Sequence, residues 1–326
     1  MRNLRERDVE MSDASERKYD AICFVGTVYS LFLYLLIEPV SYERTFFIFT
    51  SGVPEKVRAR IPNSCHVDRK RILSRLAGKR GVFKWIFWKY GLNSNLPVYG
   101  HTHDVYGGSF FLRRAKNPLY IIEDGVDNYT FEDPSKNSPA EWYGGTAKAR
   151  KVFLTGMMPI PKMIADKAVV VNISEMWKEK TPEKQARISG IFGVKPGTRF
   201  SKAENSLLLV TQPFSEDGHI SEAGKIDLFK KIVARLLKPG MRLVVKPHPR
   251  EKTDYRSVFP EAAFFESSVP VELMGCLGLD CRNLTVATIS SGAVKNLFFE
   301  GAKIHEFHEI DPEYHPEIRA AYPKRG

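Results

Sequence analysis

The chain has 326 residues, 43% of them hydrophobic and 27% charged, a balance that excludes a disordered or fibrous protein and leaves room for two compact domains. Lysine and arginine outnumber aspartate and glutamate by 49 to 38, and the formal charge of +11 is spread along the chain, which favours anionic ligands or an acidic membrane surface. No zinc-finger spacing, basic zipper or aromatic-basic box accompanies that charge, so nucleic acid is disfavoured as a partner. The four cysteines, Cys23, Cys65, Cys276 and Cys281, form no CxxC pair and have no histidine at ligand spacing, which reads as reduced thiols in a cytoplasmic protein.

Residues 1–18 are mostly charged or small, carry acids as well as bases, and read as a disordered leader rather than a signal peptide. Between Asp20 and Glu38 lie 17 uncharged residues, at the short limit for a spanning helix. Gly26-Thr27 interrupts them, so the preferred reading is a strand at Ala21 to Val25, a tight turn carrying Thr27, and a helix from Val28 to Ile37 that stops before Pro39. Thr45 to Phe49 is a second strand. Arg69 to Trp88 mixes basic and apolar positions at helical spacing; its cationic side is a solvated face or a surface for anionic lipid. A strand at Leu96 to Tyr99 leads to His101 and His103, which resemble metal ligands but are better read as acceptor-binding or loop residues.

Leu119 to Ile122 is a buried strand ending in Glu123-Asp124-Gly125. Adjacent carboxylates at a strand end disfavour joint ionisation if buried, a property wanted in a general base, although Asp-Gly is also common in plain turns. Lys167 to Ile173 reads as another strand, and a charged stretch near residues 175 to 205 as the crossover between domains 19–175 and 176–326. Beyond it the pattern is regular: a strand at Leu207 to Val210, a helix from Ser221 to Leu237 with Ile226, Phe229, Ile232, Val233, Leu236 and Leu237 on its core face, then a strand from Met241 to Val245. Strands at Ala262 to Phe265, Leu284 to Ile289 and Lys303 to Phe307 alternate with helices at Val271 to Leu277 and Ala293 to Glu300. Such alternation predicts parallel sheets covered by helices: an α/β protein of two Rossmann-like domains facing a cleft, of the GT-B glycosyltransferase type.

The strand from Met241 delivers Lys246-Pro247-His248-Pro249-Arg250-Glu251. Two prolines end the strand and place a histidine, flanked by Lys246 and Arg250, on the rim where parallel strands form ligand crevices. Ser290-Ser291-Gly292 occupies a strand-to-helix turn suited to phosphate, or to a plain helix cap. Glu272, at a helix start between these two, is placed to accept ribose hydroxyls. Phosphate donors, a cationic histidine and a ribose acceptor thus come from successive strand ends of one domain.

In their order, Glu123-Asp124-Gly125, Lys246 to Glu251 and Ser290-Ser291 resemble the acidic-acidic-Gly, His-Pro and paired-hydroxyl motifs of bacterial sialyltransferases, in particular glycosyltransferase family 52, which includes lipooligosaccharide sialyltransferases; Ile22 to Thr27 is similar to its opening strand and loop. The resemblance spans about residues 20 to 307. It implies inverting transfer of sialic acid from CMP-sialic acid to a hydroxyl of a cell-surface glycan such as lipooligosaccharide or capsule, with no cofactor and no metal. Glu123 or Asp124 would be the base and His248 the group assisting CMP departure. Lys246, Pro249, Arg250, Ser290, Ser291 and Gly292 would surround the phosphate and Glu272 the ribose, with Thr27, His101, His103 and Asp217 as acceptor-side candidates.

A second triplet, Glu216-Asp217-Gly218, offers Asp217 as an alternative base, with Asp227 behind it; Glu123 is preferred because it lies in the other domain from His248. Rival readings are a polysialyltransferase, a transferase using CDP-glycerol, and a non-catalytic polyanion binder. Peripheral contact with the inner face of the membrane is expected from lipid-linked acceptors, and a homodimer is one option for assembly.

Overall fold

The computed structural model describes residues 18–67, 78–102, 108–132, 139–198, 205–279, 284–289, 291, 294 and 301–307. Expectations for the leader, for residues 69–77, and for His103, Cys281, Ser290 and Gly292 lie outside these, as does nearly all of the helix read at Ala293 to Glu300. Two units divide the chain. The first holds the residues up to Ser51, Ile61–Leu154 and Ile160–Val171; the second holds Gly52–Arg60, Thr155–Pro159 and everything from Asn172. The division therefore falls at 171/172 rather than 175/176, and two short segments of the N-terminal half belong to the second unit. One of them is tied there by Lys56, whose ammonium meets Glu266 at 2.8 Å, and by the Arg60 guanidinium, which donates to the Ile191 carbonyl at 3.2 Å.

In the first unit, seven parallel strands, β1 (Ala21–Val25), β2 (Thr45–Phe49), β3 (Ser64–His66), β4 (Val98–Gly100), β5 (Leu119–Ile122), β6 (Ala149–Leu154) and β7 (Ala168–Val170), lie in the order β3-β2-β1-β4-β5-β6-β7. β1 and β2 are buried at every position, as expected of apolar strands covered on both faces. Helix α1 (Val28–Ile37) is apolar all round, and eight of its ten residues are buried. The uncharged stretch is thus a strand, a turn and a helix, ended by Glu38 in the left-handed region (φ 45°) just before Pro39. Helix α2 (Gly78–Tyr90) packs Phe83 onto Phe24 of β1. Among the described residues no helix is long and apolar enough to cross a membrane.

The second unit carries five parallel strands, β8 (Ser206–Val210), β9 (Arg242–Lys246), β10 (Ala263–Phe264), β11 (Thr285–Thr288) and β12 (Lys303–Glu306), in the order β10-β9-β8-β11-β12. Its core gathers Leu207, Leu209, Val245 and Ala287 from the sheet with Leu228, Phe229, Ile232 and Val233 from helix α5 (Glu222–Leu236). The charged stretch read as a crossover holds two helices, α3 (Ile173–Glu179) and α4 (Pro182–Ile191). Both carry ordinary start signals. Asn172 accepts the Glu175 amide at 3.2 Å, ending the strand read through Ile173, and Thr181 caps a helix with proline in its first turn. β3 and β6 are further strands the periodicity missed; β3 has three residues, and the register of β6 shifts between Leu119 and Tyr120 of its neighbour.

Candidate functional site

In each sheet the strand order reverses once, and the chain carries its polar residues to the C-terminal ends beside that reversal, where an open parallel sheet leaves a crevice for ligands. In the first unit the reversal lies between β1 and β4. β1 delivers Gly26-Thr27, β4 delivers His101-Thr102, and β5, next to β4, delivers Glu123-Asp124. A Cβ on Gly26 would stand 2.0 Å from His101 Nε2, and one on Gly100, which has φ +129°, would stand 2.0 Å from the Phe24 carbonyl oxygen, so both glycines let β1 and β4 close around the histidine. His101 is buried and its ring tilts against Phe24 at 5.3 Å.

The two carboxylates of the triplet have different surroundings. Glu123 is fully buried, with one oxygen accepting the Tyr29 hydroxyl and the other the Tyr129 hydroxyl, each at 2.5 Å. Asp124 is half-buried. Its Oδ1 accepts the Thr27 hydroxyl at 2.6 Å, and its backbone amide donates to Asn128 at 2.8 Å. Thr27 is at the same time the cap of α1, accepting the Ser30 amide at 3.1 Å, so the base candidate is tied to the start of a helix. Of the two candidates left open, Glu123 or Asp124, the geometry treats each differently. Both oxygens of Glu123 accept a phenol, from buried Tyr129 and half-buried Tyr29, whereas Asp124 is half-buried with one hydroxyl on its carboxylate.

In the second unit the reversal lies between β8 and β11, whose ends carry Thr211 and buried Ser291; β9, on the other side of β8, carries His248. The turn from His248 to Glu251 is clamped in both directions. The Glu251 amide donates to the His248 carbonyl at 3.1 Å, and the Glu251 carboxylate accepts the His248 amide at 2.7 Å, with Pro249 at the position where a fixed φ suits a turn. The same carboxylate accepts the hydroxyls of Thr211 and, at 2.6 Å, Tyr255. Burial raises its pKa despite these donors.

Behind it stands Lys225, fully buried on the inner side of α5 where the helical period leads one to expect an apolar residue. Its ammonium lies 2.8 Å from Glu216, 3.2 Å from Glu222 and 3.7 Å from Glu251. Glu216 also accepts the Lys252 amide at 2.7 Å; burial opposes its ionisation, but Lys225 and this amide outweigh that and hold it below the usual carboxylate range. The Arg250 guanidinium grips both oxygens of Asp217. The triplet Glu216-Asp217-Gly218 therefore braces the His-Pro turn from below, and Asp217, placed in the same unit as His248, is occupied by an arginine.

Two expectations about charge change. The Arg250 amide donates to His248 Nδ1 at 3.2 Å, which fixes the ring and leaves the proton of a neutral imidazole on Nε2. Burial, then Arg250 and Lys246, push the His248 pKa down to about 3, so the histidine is neutral rather than cationic. Lys246 is buried, donates to the carbonyls of Pro247 at 3.0 Å and Ser267 at 3.1 Å, and has its pKa lowered by burial to about 8, with Glu272 the largest opposing influence. It knits the strand end to its neighbours. Glu272, at the first turn of helix α6 (Val271–Cys276), is buried as well.

Thr211, Lys225, Glu251 and Tyr255, and in the first unit Tyr29, Asn128 and Tyr129, were not among the expected site residues. Lys225 alone left a signal, a single cation one turn before Phe229 on an otherwise apolar face. Asp227 instead sits on the outer side of α5, paired with Lys231 at 2.6 Å. Cys23, Cys65 and Cys276 are free thiols. Among the described residues no group of three or more His, Cys, Asp or Glu side chains is placed to hold a metal ion.

Comparison with known proteins bears on this arrangement. A protein of Haemophilus influenzae described as uncharacterized is 30% identical over 292 residues, covering 84% of this chain and 92% of that one. The crystal structure of a Photobacterium 2,6-sialyltransferase, in a ternary complex with the donor product CMP and the acceptor lactose, superposes with a TM-score of 0.55 at 11% identity, covering 92% of this chain and 75% of that one, and shares the fold. Both units are Rossmann-like, as in GT-B glycosyltransferases. The model of glycosyltransferase family 52 matches residues 93–306, a span that holds the acidic triplet of the first unit together with the entire His-Pro brace of the second, and the chain belongs to that family, the bacterial sialyltransferase family.

Proposed function

We propose that the protein transfers sialic acid from CMP-sialic acid to a hydroxyl of a cell-surface glycan, lipooligosaccharide or capsule, with inversion at the anomeric carbon and without a metal. The observation that carries this reading is the clamped turn at the end of β9, which holds a neutral His248 with its Nε2 proton available at the rim of a family 52 fold. In the proposed reaction the bond from the anomeric carbon to the CMP phosphate breaks as the bond to the acceptor oxygen forms. Asp124 receives the acceptor proton, and His248 Nε2–H supports the departing phosphate by hydrogen-bond donation while CMP leaves as its phosphate dianion. Ser291 and the neighbouring backbone hold the phosphate, buried Glu272 lies on the ribose side, and His101 and Thr27 line the acceptor side.

CMP and lactose, the compounds bound to the Photobacterium enzyme, are the first probes. The test is transfer of labelled sialic acid from CMP-sialic acid to lactose and to lipooligosaccharide, with and without EDTA. The expected result is product that persists in EDTA, inverted configuration by NMR, and no turnover by His248→Ala of native circular dichroism. Turnover of CDP-glycerol in place of CMP-sialic acid transfers the protein to another class of cytidine-nucleotide enzyme. EDTA inhibition reversed by a divalent ion removes the metal-free mechanism.

A further inference from the structure

Helix α2 shows a second feature, unrelated to the reacting groups. Its sequence, GKRGVFKWIFWKY, contains four cations and no acid. At about 100° per residue, Lys84, Trp88, Trp85 and Lys89 follow one another around one side at roughly 0°, 40°, 100° and 140°, and Ile86, Tyr90, Phe83 and Phe87 occupy the other at roughly 200° to 300°. The second group is the packed one: Phe83 stacks on Phe110 at 4.7 Å, Phe87 meets Phe111 at 6.3 Å, and Tyr90 meets Phe46 at 4.6 Å. The first group faces away from that core. Trp88 is 80% exposed and Trp85 45%, and the Lys89 ammonium sits over the Trp85 ring at 4.7 Å.

An ordinary solvated helix face carries charged residues of both signs, not its two largest apolar rings. Two tryptophans in the middle of a face, with a lysine on each flank, match the boundary of an anionic bilayer. There an indole ring rests at headgroup depth, and ammonium groups on flexible stems reach the lipid phosphates. A second copy of the chain fits poorly, because a two-fold contact through this face would set its lysines against their own duplicates with no carboxylate on the helix to separate them. We propose that the Trp85–Trp88 face of α2 is the surface by which the protein docks on membranes rich in anionic lipid. The assignment goes beyond the transfer reaction and does not depend on it.

The experiment is co-sedimentation of the full chain with vesicles of phosphatidylcholine alone and of phosphatidylcholine mixed with phosphatidylglycerol, read also as a blue shift of tryptophan emission. Wild type is expected to bind the anionic vesicles at least ~10-fold more tightly than the neutral ones, since each cation near such a surface contributes about 1 kcal/mol, or roughly fivefold. The double variant W85S/W88S is expected to lose vesicle binding and the blue shift while keeping its circular dichroism and its rate on soluble lactose. K84Q/K89Q is expected to weaken binding at least ~10-fold on the same constants. Wild type remaining in the supernatant with anionic vesicles overturns the assignment, as does unchanged binding by W85S/W88S. A dimer in solution that W85S/W88S dissociates also overturns it, in favour of a protein partner.

Discussion

The two acid-acid-glycine triplets handle their carboxylates in opposite ways. In the first unit Glu123 and Asp124 are held by hydroxyls, from Tyr29, Tyr129 and Thr27. In the second, Glu216, Asp217 and Glu222 are held by Lys225 and Arg250. A carboxylate gripped by a guanidinium or a buried ammonium fixes geometry, because removing either partner strands a charge. A carboxylate that holds a single hydroxyl keeps an oxygen to receive a proton. The contrast separates the acid triplet proposed to take part in chemistry from one that braces the His-Pro turn, although the two share the pattern acid-acid-glycine.

The sharpest break in this comparison is expected at His248. His248→Ala should lower kcat by ~10^3 or more with little change in melting temperature, measured by single-turnover transfer and calorimetry. Next, Lys225→Met leaves Glu216 and Glu251 without their buried cation and should cost about 3 kcal/mol in urea unfolding. A loss below about 0.5 kcal/mol would show that the network is not structural. Asp124→Asn should reduce kcat about 10^2-fold at near-native stability and Asp217→Asn clearly less, its main effect being on stability; the reverse ranking in kcat would move the base to the second unit.

Gly26→Ala drives a methyl into the His101 ring and should cost about 2 kcal/mol, while His101→Ala in the same background should recover part of it by opening the space. A further effect is in pH. The folded His248 pKa of about 3 lies below that of the unfolded chain, near 6.5, so the unfolded state takes up the proton first as pH falls. Stability should therefore drop through the window from about 6.5 towards 3, more steeply in wild type than in His248→Gln, as read from melting temperature against pH. Parallel curves would show that the imidazole titrates normally.

Much of the fold was legible because strands of a parallel sheet are short apolar runs with abrupt ends. Val25 stops at Gly26-Thr27, Ile122 at the acidic pair and the β9 strand at Pro247, and each stop is a residue that interrupts a ladder or caps a helix. Where the run is weak the reading failed. Ser64–His66 has three residues of mixed polarity, and the two helices between 173 and 191 are polar enough to pass for a linker although Asn172 and Thr181-Pro182 mark their starts. At the site, the residues at strand ends were found and the ones that support them were not. Glu251 joins its near neighbours His248 and Tyr255 to Thr211, which comes from the end of β8, and no spacing along the chain announces that last contact.

The sequence by itself determined the periodicity, and with it two series of parallel strands, the turns that end them, and a histidine between prolines at one of those ends. Those are local properties, written in which residues tolerate a strand, a cap or a fixed φ. Tertiary structure decided which carboxylates are available and which are bound, that His248 is neutral with its proton on Nε2, and that Lys225 is buried. Each of these depends on desolvation and on partners brought together from distant parts of the chain, and neither is a property of a residue's neighbours in sequence.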